Sequence, residues 1–185
     1  MAETFFAARH SMDSPEWYTP APIVEAARLL MGEIDLDPAS HEDANQTVRA
    51  VRFYSVDDDG LKQRWFGRVF VNPPGGFVAP FWHKFNSNEF TEGIWIGYSL
   101  EQLQTLQQIG AARTPLDFPF CVTSRRIAFV ENEAKKAARF EKLIAAGKVP
   151  NQKSSPSHSN YISYRGWQRD KFAEVFRQFG QVVIP

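Results

Sequence analysis

The chain has 185 residues, of which 43% are hydrophobic and 23% charged, a composition typical of one folded domain with its own core. Lys plus Arg and Asp plus Glu both number 21, so the formal net charge is zero. A nucleic acid would therefore have to bind to a local basic patch. Cys121 is the only cysteine and the four histidines are scattered, which argues against disulfides and against a metal site. No transmembrane run and no signal peptide is visible, so we expect a cytoplasmic protein.

Residues 1–15 lack any hydrophobic period and are predicted to form a loosely held arm before a single domain over residues 16–185. Thr19 and Pro20 indicate the start of a helix, with the Thr19 hydroxyl as its cap and proline in its first turn. Apolar residues at helical spacing extend this helix over residues 22–31, and Gly32 ends it.

The next segment, residues 34–38, alternates apolar and acidic residues before Pro38 and predicts a short strand that ends in a turn. Acidic residues are poor strand formers, so Asp35 and Asp37 require an explanation. In one interpretation Asp35 faces solvent and Asp37 caps the helix that follows. In the other, a carboxylate at the tip of the strand faces a cationic or hydroxyl-bearing ligand.

The rest of the chain alternates between helical and strand patterns and contains no internal repeats. Helices are predicted over residues 42–51, 77–85, 100–109, 133–147 and 170–179, and strands over 51–54, 69–72, 93–98, 119–122, 127–130, 161–164 and 182–184. A turn is predicted at 57–60 and a polar loop at 148–159. This alternation predicts an α/β fold with a mostly parallel sheet.

The stretch from Val69 to Gly76 carries the clearest chemical signal. Prolines cannot continue a sheet ladder, so Pro73 and Pro74 place Asn72 at the carboxyl edge of its strand. Open α/β sheets bind their ligands at that edge. The Asn72 side chain and the Pro73 carbonyl offer two acceptors close together, which suits an exocyclic amino group.

Three motifs occur in order: Trp17-Tyr-Thr-Pro20, the acidic strand that ends in Asp37-Pro38, and Asn72-Pro-Pro74. Together with Asp59-Gly-Leu61 and Trp65, they resemble the phage-type DNA adenine-N6 methyltransferases, a branch of the S-adenosylmethionine-dependent amino-methyltransferases. The resemblance continues more loosely through residues 118–120, 125–129 and 157–160. It implies a Rossmann-like, compact three-layer sandwich, encoded by a phage or prophage.

The resemblance also implies S-adenosylmethionine as cofactor. It places Trp17, Thr19 and Pro20 in the lining of the cofactor pocket, where an aromatic ring can face a sulfonium or an adenine. Asp37-Pro38 would receive the α-ammonium group of the cofactor's amino-acid portion. Asp35 and Asp59 are weaker candidates, and Asp59 would contact the ribose or the adenine.

For catalysis, the resemblance implies that Asn72, Pro73 and Pro74 receive a base that has been flipped out of the DNA helix. Their acceptors would draw the amino lone pair out of conjugation and direct it at the methyl group. The same hydrogen bonds serve cytosine N4 equally well, so adenine as the target rests on the resemblance alone.

One departure from the wider pattern is Gly75, because most of the superfamily has an aromatic residue there that stacks on the flipped base. Phe77, Phe81 and Trp82 are the candidates nearest in sequence for that role. The departure also motivates an alternative, a non-catalytic nucleic-acid-binding or regulatory protein that retains the fold. A separate target-recognition domain is not visible.

Basic residues provide candidates for contacts with DNA phosphates. We expect them to include Arg125, Arg126, Lys135 and Lys136. The sequence leaves open the recognition sequence, the preference for single or double strands and the oligomeric state.

Overall fold

The computed structural model of the protein describes residues 17–87, 89–108, 116–131, 133–149 and 159–185, without the side chains of Ala134 and Lys135. The predicted arm and most of the predicted 148–159 loop lie outside the described residues, so the division into an arm and one domain stays a prediction.

Helices and strands largely alternate along the described chain, as the sequence predicts. The helices are α1 (Ala21–Met31), α2 (Glu42–Val48), α3 (Val78–Phe85), α4 (Leu100–Leu106), α5 (Glu133–Ala145) and α6 (Arg169–Phe176). The strands are β1 (Trp17–Tyr18), β2 (Leu36–Asp37), β3 (Arg52–Phe53), β4 (Arg68–Val71), β5 (Glu92–Gly97), β6 (Phe120–Thr123), β7 (Val130–Glu131), β8 (Tyr161–Arg165) and β9 (Gly180–Val183). The exceptions to the alternation are that β4 follows β3 and β7 follows β6 without a helix between them. A single turn of 3-10 helix (Gly75–Phe77) precedes α3.

Seven of these strands form one sheet, in the order β3-β2-β4-β5-β8-β6-β9. Strands β3, β2, β4 and β5 are parallel, whereas β8 is antiparallel to both β5 and β6, and β9 is antiparallel to β6. The prediction of a mostly parallel sheet is therefore wrong, because the sheet is mixed. The apolar pattern shows that a strand is buried, but it does not show whether the strand runs parallel or antiparallel to its neighbours.

Strands β1 and β7 pair with each other outside this sheet. The segment predicted as a strand at 127–130 contributes only Val130, together with Glu131, to this two-stranded ribbon. Two residues are too few for a sheet of their own, so the ribbon depends on its neighbours for stability.

Alternate residues of the central strands point to opposite sides of the sheet. Because both sets are apolar, helices cover both faces of the sheet. Phe70, Ile94 and Ile96 join a cluster with α1 and α6 on one face. Val69, Val71 and Trp95 join an aromatic-rich cluster with α3 and α4 on the other face; that cluster also contains Trp65, Phe81 and Phe85. The result is a three-layer α/β arrangement.

Helix α1 corrects one detail of the sequence interpretation. It begins one residue earlier than predicted, and Pro20, not Thr19, occupies the cap position without a side-chain hydrogen bond. The Thr19 side chain is buried instead. Gly32 ends the helix with a φ of 89°, a left-handed conformation that glycine adopts without steric cost.

Among the described residues, none of the helices combines the length and the apolar character needed to cross a membrane.

Candidate active site at the carboxyl edge of the sheet

The sheet has a switch point between β2 and β4. From β2 the chain moves outward to β3, whereas from β4 it moves in the other direction to β5. Ligands of open α/β sheets bind in the crevice outside the carboxyl ends of strands at such a point. Asp37 ends β2 and Asn72 follows β4, so both residues lie at this crevice.

The orientation of the Asn72 side chain is set by a hydrogen bond. Its Nδ2 donates to the backbone carbonyl of Trp17 at 2.8 Å. Because a carbonyl can only accept, the amide nitrogen must face Trp17 and the oxygen must point away from it. The Asn72 Oδ1 atom is buried and has no hydrogen-bond partner. The site thus contains an acceptor that is already oriented and unoccupied.

The second predicted acceptor, the Pro73 carbonyl, receives a hydrogen bond from the Tyr98 hydroxyl at 2.6 Å. Tyr98 directly follows β5, the neighbour of β4, so it belongs to the same edge of the sheet. A carbonyl oxygen has two lone pairs, and one remains for a further donor.

Asp37 is a buried carboxylate, with 3% of its surface exposed. Its Oδ1 accepts the backbone N–H of Ala39 at 3.1 Å, but none of the described cations forms an ion pair with it. Burial raises the pKa of Asp37 to about 7, against the smaller opposing effects of the Ala39 backbone and the Ser40 side chain. An uncompensated carboxylate at the ligand-binding edge is well suited to a cationic group.

The segment before α1 lies against this crevice. The Trp17 carbonyl meets Asn72, and the ring of Tyr18 lies 5.1 Å from that of His41, which follows Asp37 by four residues. Thr19, which is 4% exposed, has a buried hydroxyl oxygen without a hydrogen-bond partner. This arrangement brings together Trp17, Thr19, Asp37 and Asn72, four of the predicted site residues.

Asp59 reaches the same region through its neighbour Gly60. A Cβ added to Gly60 would lie 1.9 Å from the Pro38 carbonyl oxygen, so only glycine lets the two backbones approach this closely. The Asp59 carboxylate itself forms an exposed ion pair with Lys62 at 2.8 Å. The turn is therefore beside Pro38, while its acidic side chain points to the surface.

Asp35 lies at the opposite edge of the sheet and is not brought to the site. Its carboxylate binds the Arg68 guanidinium at 2.7 Å and the Arg68 backbone N–H at 2.7 Å. The Arg68 side chain holds the pKa of Asp35 below its usual value. Gly67 leaves room for this carboxylate, since a Cβ there would lie 2.4 Å from an Asp35 oxygen. The pair joins the amino ends of β2 and β4.

The three aromatic candidates for base stacking differ in exposure. Phe81 is 6% exposed and packs against Trp65, and Trp82 packs edge-on against Trp95 and Phe118. Phe77 is 38% exposed and directly follows the two glycines. Phe77 is therefore the candidate whose ring is most accessible to a ligand at the crevice.

The predicted phosphate contacts divide into two groups. Arg125 and Arg126 are exposed and follow β6, whose carboxyl end lies at the same edge as Asn72 because β6 runs in the direction of β5. Lys136 lies on α5 and forms an ion pair with Glu133 at 3.1 Å. The side chain of Lys135 lies outside the described atoms.

The sequence interpretation missed the roles of Tyr98 and Asn160. Asn160 is 1% exposed; its Oδ1 accepts the Ile127 backbone N–H at 2.8 Å and its Nδ2 donates to the Tyr98 carbonyl at 3.1 Å. It thereby ties the Arg125–Arg126 loop to the end of β5. The sequence offered one signal for these roles: Tyr98 and Asn160 lie at the ends of predicted strands, beside the edge of the sheet that is predicted to bind a ligand.

The chain is thus an α/β protein with an oriented amide acceptor and a buried carboxylate at the switch point of its sheet, the position at which open α/β sheets bind their ligands. A family model described as DNA N-6-adenine-methyltransferase (Dam) matches residues 8–146. The chain belongs to this family and is a DNA adenine-N6 methyltransferase. Comparison with curated proteins and comparison with solved structures each gave no match.

The family assignment supports the predicted enzyme and its adenine target over the non-catalytic and cytosine alternatives. Among the described residues there is no cluster of three or more His, Cys, Asp or Glu side chains that could hold a metal ion.

Proposed function

We propose that the protein transfers a methyl group from S-adenosylmethionine to the N6 amino group of an adenine that is flipped out of DNA into this crevice. The observation that carries the proposal is the Asn72 side chain, whose oxygen is buried, oriented and unpartnered. The four parallel strands with helices on both faces support a Rossmann-like methyltransferase fold.

The residues at the crevice fit the cofactor. Asp37 would receive the α-ammonium group, because a buried carboxylate without a cation gains most from a charged partner. Trp17, Thr19, Pro20 and Pro38 would line the pocket, and the unpartnered Thr19 hydroxyl would find a partner in the ligand. When bound, S-adenosylmethionine supplies an electrophilic methyl group on a positively charged sulfur. Asp59 would be an outer contact, since its carboxylate already pairs with Lys62.

The chemistry that this chain performs is positioning. An adenine amino group has two N–H donors, and Asn72 Oδ1 and the Pro73 carbonyl can accept one each. These bonds favour a pyramidal nitrogen over one conjugated with the ring, which leaves its lone pair free for attack. Orientation of this kind supplies a large part of the rate of many reactions. The Trp17 carbonyl keeps the amide from turning over.

Capture of the base and of the DNA would use the surrounding residues. The half-exposed ring of Phe77 would stack on the flipped base, in place of an aromatic residue at the position that Gly75 occupies. Arg125 and Arg126 would contact backbone phosphates at the same edge. Lys136 and Lys135 on α5 would be more distant contacts.

Titration calorimetry with S-adenosylmethionine tests the cofactor, and 2-aminopurine fluorescence tests base flipping. We expect the wild-type protein to give heat of binding. When 2-aminopurine replaces the target adenine in a DNA sequence that the enzyme methylates, we expect its fluorescence to increase on addition of the protein. A folded protein that binds no cofactor, or methylation without any fluorescence change, would contradict the respective half of the proposal.

A further inference from the structure

The Tyr98 hydroxyl donates to the carbonyl of the central residue in Asn72-Pro-Pro74, at 2.6 Å. This carbonyl is the second acceptor for the adenine amino group, so the inference below rests on the proposed function. A hydroxyl that donates directly to an acceptor of the substrate calls for an explanation.

Tyr98 is itself held firmly. The Asn160 side chain donates to the backbone carbonyls of Gly97 and Tyr98 at 3.4 and 3.1 Å, and the Tyr98 ring lies 5.9 Å from the ring of Phe129. Burial raises the pKa of the Tyr98 hydroxyl above its usual value, so the group remains a protonated donor at every pH at which the enzyme would work. The hydroxyl is therefore a donor fixed in space.

The Pro73 carbonyl needs such a partner. The proline ring fixes φ, and the following Pro74 restricts ψ of Pro73, but a range of about 40° remains. Rotation over that range would move the carbonyl oxygen by roughly 0.7 Å. Displacements on the order of 1 Å at a reacting centre can reduce rates by about two orders of magnitude. Gly75 and Gly76, next along the chain, add little stiffness.

We infer that Tyr98 is a positioning residue for methyl transfer, whose hydroxyl fixes the direction of the Pro73 carbonyl so that its second lone pair receives the adenine amino group. The hydroxyl acts through the carbonyl and does not touch the base. Asn72 and Pro73 are then oriented in the same way, each by one hydrogen bond to a residue from another part of the chain. The Trp17 carbonyl orients the amide, and the Tyr98 hydroxyl orients the carbonyl.

Tyr98→Phe tests this inference, because it removes the hydroxyl and keeps the ring. We expect kcat for adenine methylation to fall about tenfold, with KM for DNA and Kd for S-adenosylhomocysteine changed by less than about twofold. The matched control is Tyr164→Phe. The Tyr164 hydroxyl donates to buried Glu92 at the opposite edge of the sheet, so its removal should lower thermal stability and leave kcat unchanged.

The outcomes separate the inference from the function on which it rests. Wild-type kcat in Tyr98→Phe would overturn the inference, as would a rise in KM alone or an equal loss of kcat in the Tyr164→Phe control. If the wild-type protein methylated no DNA, the proposed function itself would be refuted and the inference with it. A selective loss of kcat in Tyr98→Phe alone would support both.

Discussion

Asp37 should make cofactor binding depend on pH. In the ligand-free protein its carboxyl is buried without a cation, and burial raises its pKa to about 7. The α-ammonium group of the cofactor binds the ionised form, so binding below pH 7 must release a proton. The apparent affinity should therefore weaken about tenfold for each pH unit below the pKa.

The measurement is the Kd of S-adenosylhomocysteine, the product that remains when the cofactor has given up its methyl group, which carries the same ammonium group. Between about pH 7.5 and about pH 5.5 we expect Kd to rise about 25-fold for the wild-type protein. Asp37→Asn cannot ionise, so its Kd should be nearly constant over this range. At the upper pH it should be roughly 10- to 100-fold weaker, because a charge-assisted hydrogen bond is lost. His41→Gln serves as the control, since this neighbouring change should preserve the pH dependence.

The same residue predicts the pH dependence of stability. The pKa of Asp37 in the folded chain, about 7, lies above the value of 3.8 for an unperturbed carboxyl. Its stabilising contribution is therefore complete below about pH 4 and is lost as the pH rises through 7, by up to roughly 4 kcal/mol. Urea denaturation of ligand-free Asp37→Asn should lack this loss. A wild-type Kd for S-adenosylhomocysteine that did not change with pH would refute the assignment of Asp37.

Three further predictions concern the surroundings of the site. Phe77→Ala should lower kcat/KM for DNA about 5- to 150-fold, since stacking on a base contributes about 1–3 kcal/mol, whereas Phe77→Trp should retain activity. Equal activity of the two variants would exclude stacking. Gly60→Ala should reduce the free energy of unfolding by about 1–3 kcal/mol through its clash with Pro38. Gly75→Ala should not, because nothing lies within 4 Å of its added Cβ, and calorimetric Tm values distinguish the two. Arg125→Ala should reduce the slope of log affinity for DNA against log salt by about 0.9, while exposed Arg64, near the amino end of β4, should be replaceable without effect.

The carboxyl edge of the sheet was predictable where local chemistry determines the structure. Proline cannot continue a ladder, so Asn72 had to lie at the carboxyl end of its strand, and β4 ends one residue before it, at Val71. Asp37 ends β2 for a similar reason, just before Pro38. Helix α1 followed from its apolar period and from Gly32.

Other features depended on contacts between distant parts of the chain. Nothing local distinguishes Asp35 from Asp37, and their different roles follow from Arg68, which lies 33 residues further along the chain. Thr19 had the sequence signature of a helix cap but faces inward. The direction of β8 and the contact between Tyr98 and Pro73 likewise arise from the arrangement of strands, which no local pattern encodes.

Nucleoside mass analysis of DNA incubated with the protein and S-adenosylmethionine tests the central claim most directly. Wild-type protein should produce N6-methyladenine, and Asn72→Ala, which removes the oriented acceptor, should produce at least about 100-fold less while still binding S-adenosylhomocysteine. Formation of N4-methylcytosine in place of N6-methyladenine would contradict the account, as would full activity of Asn72→Ala.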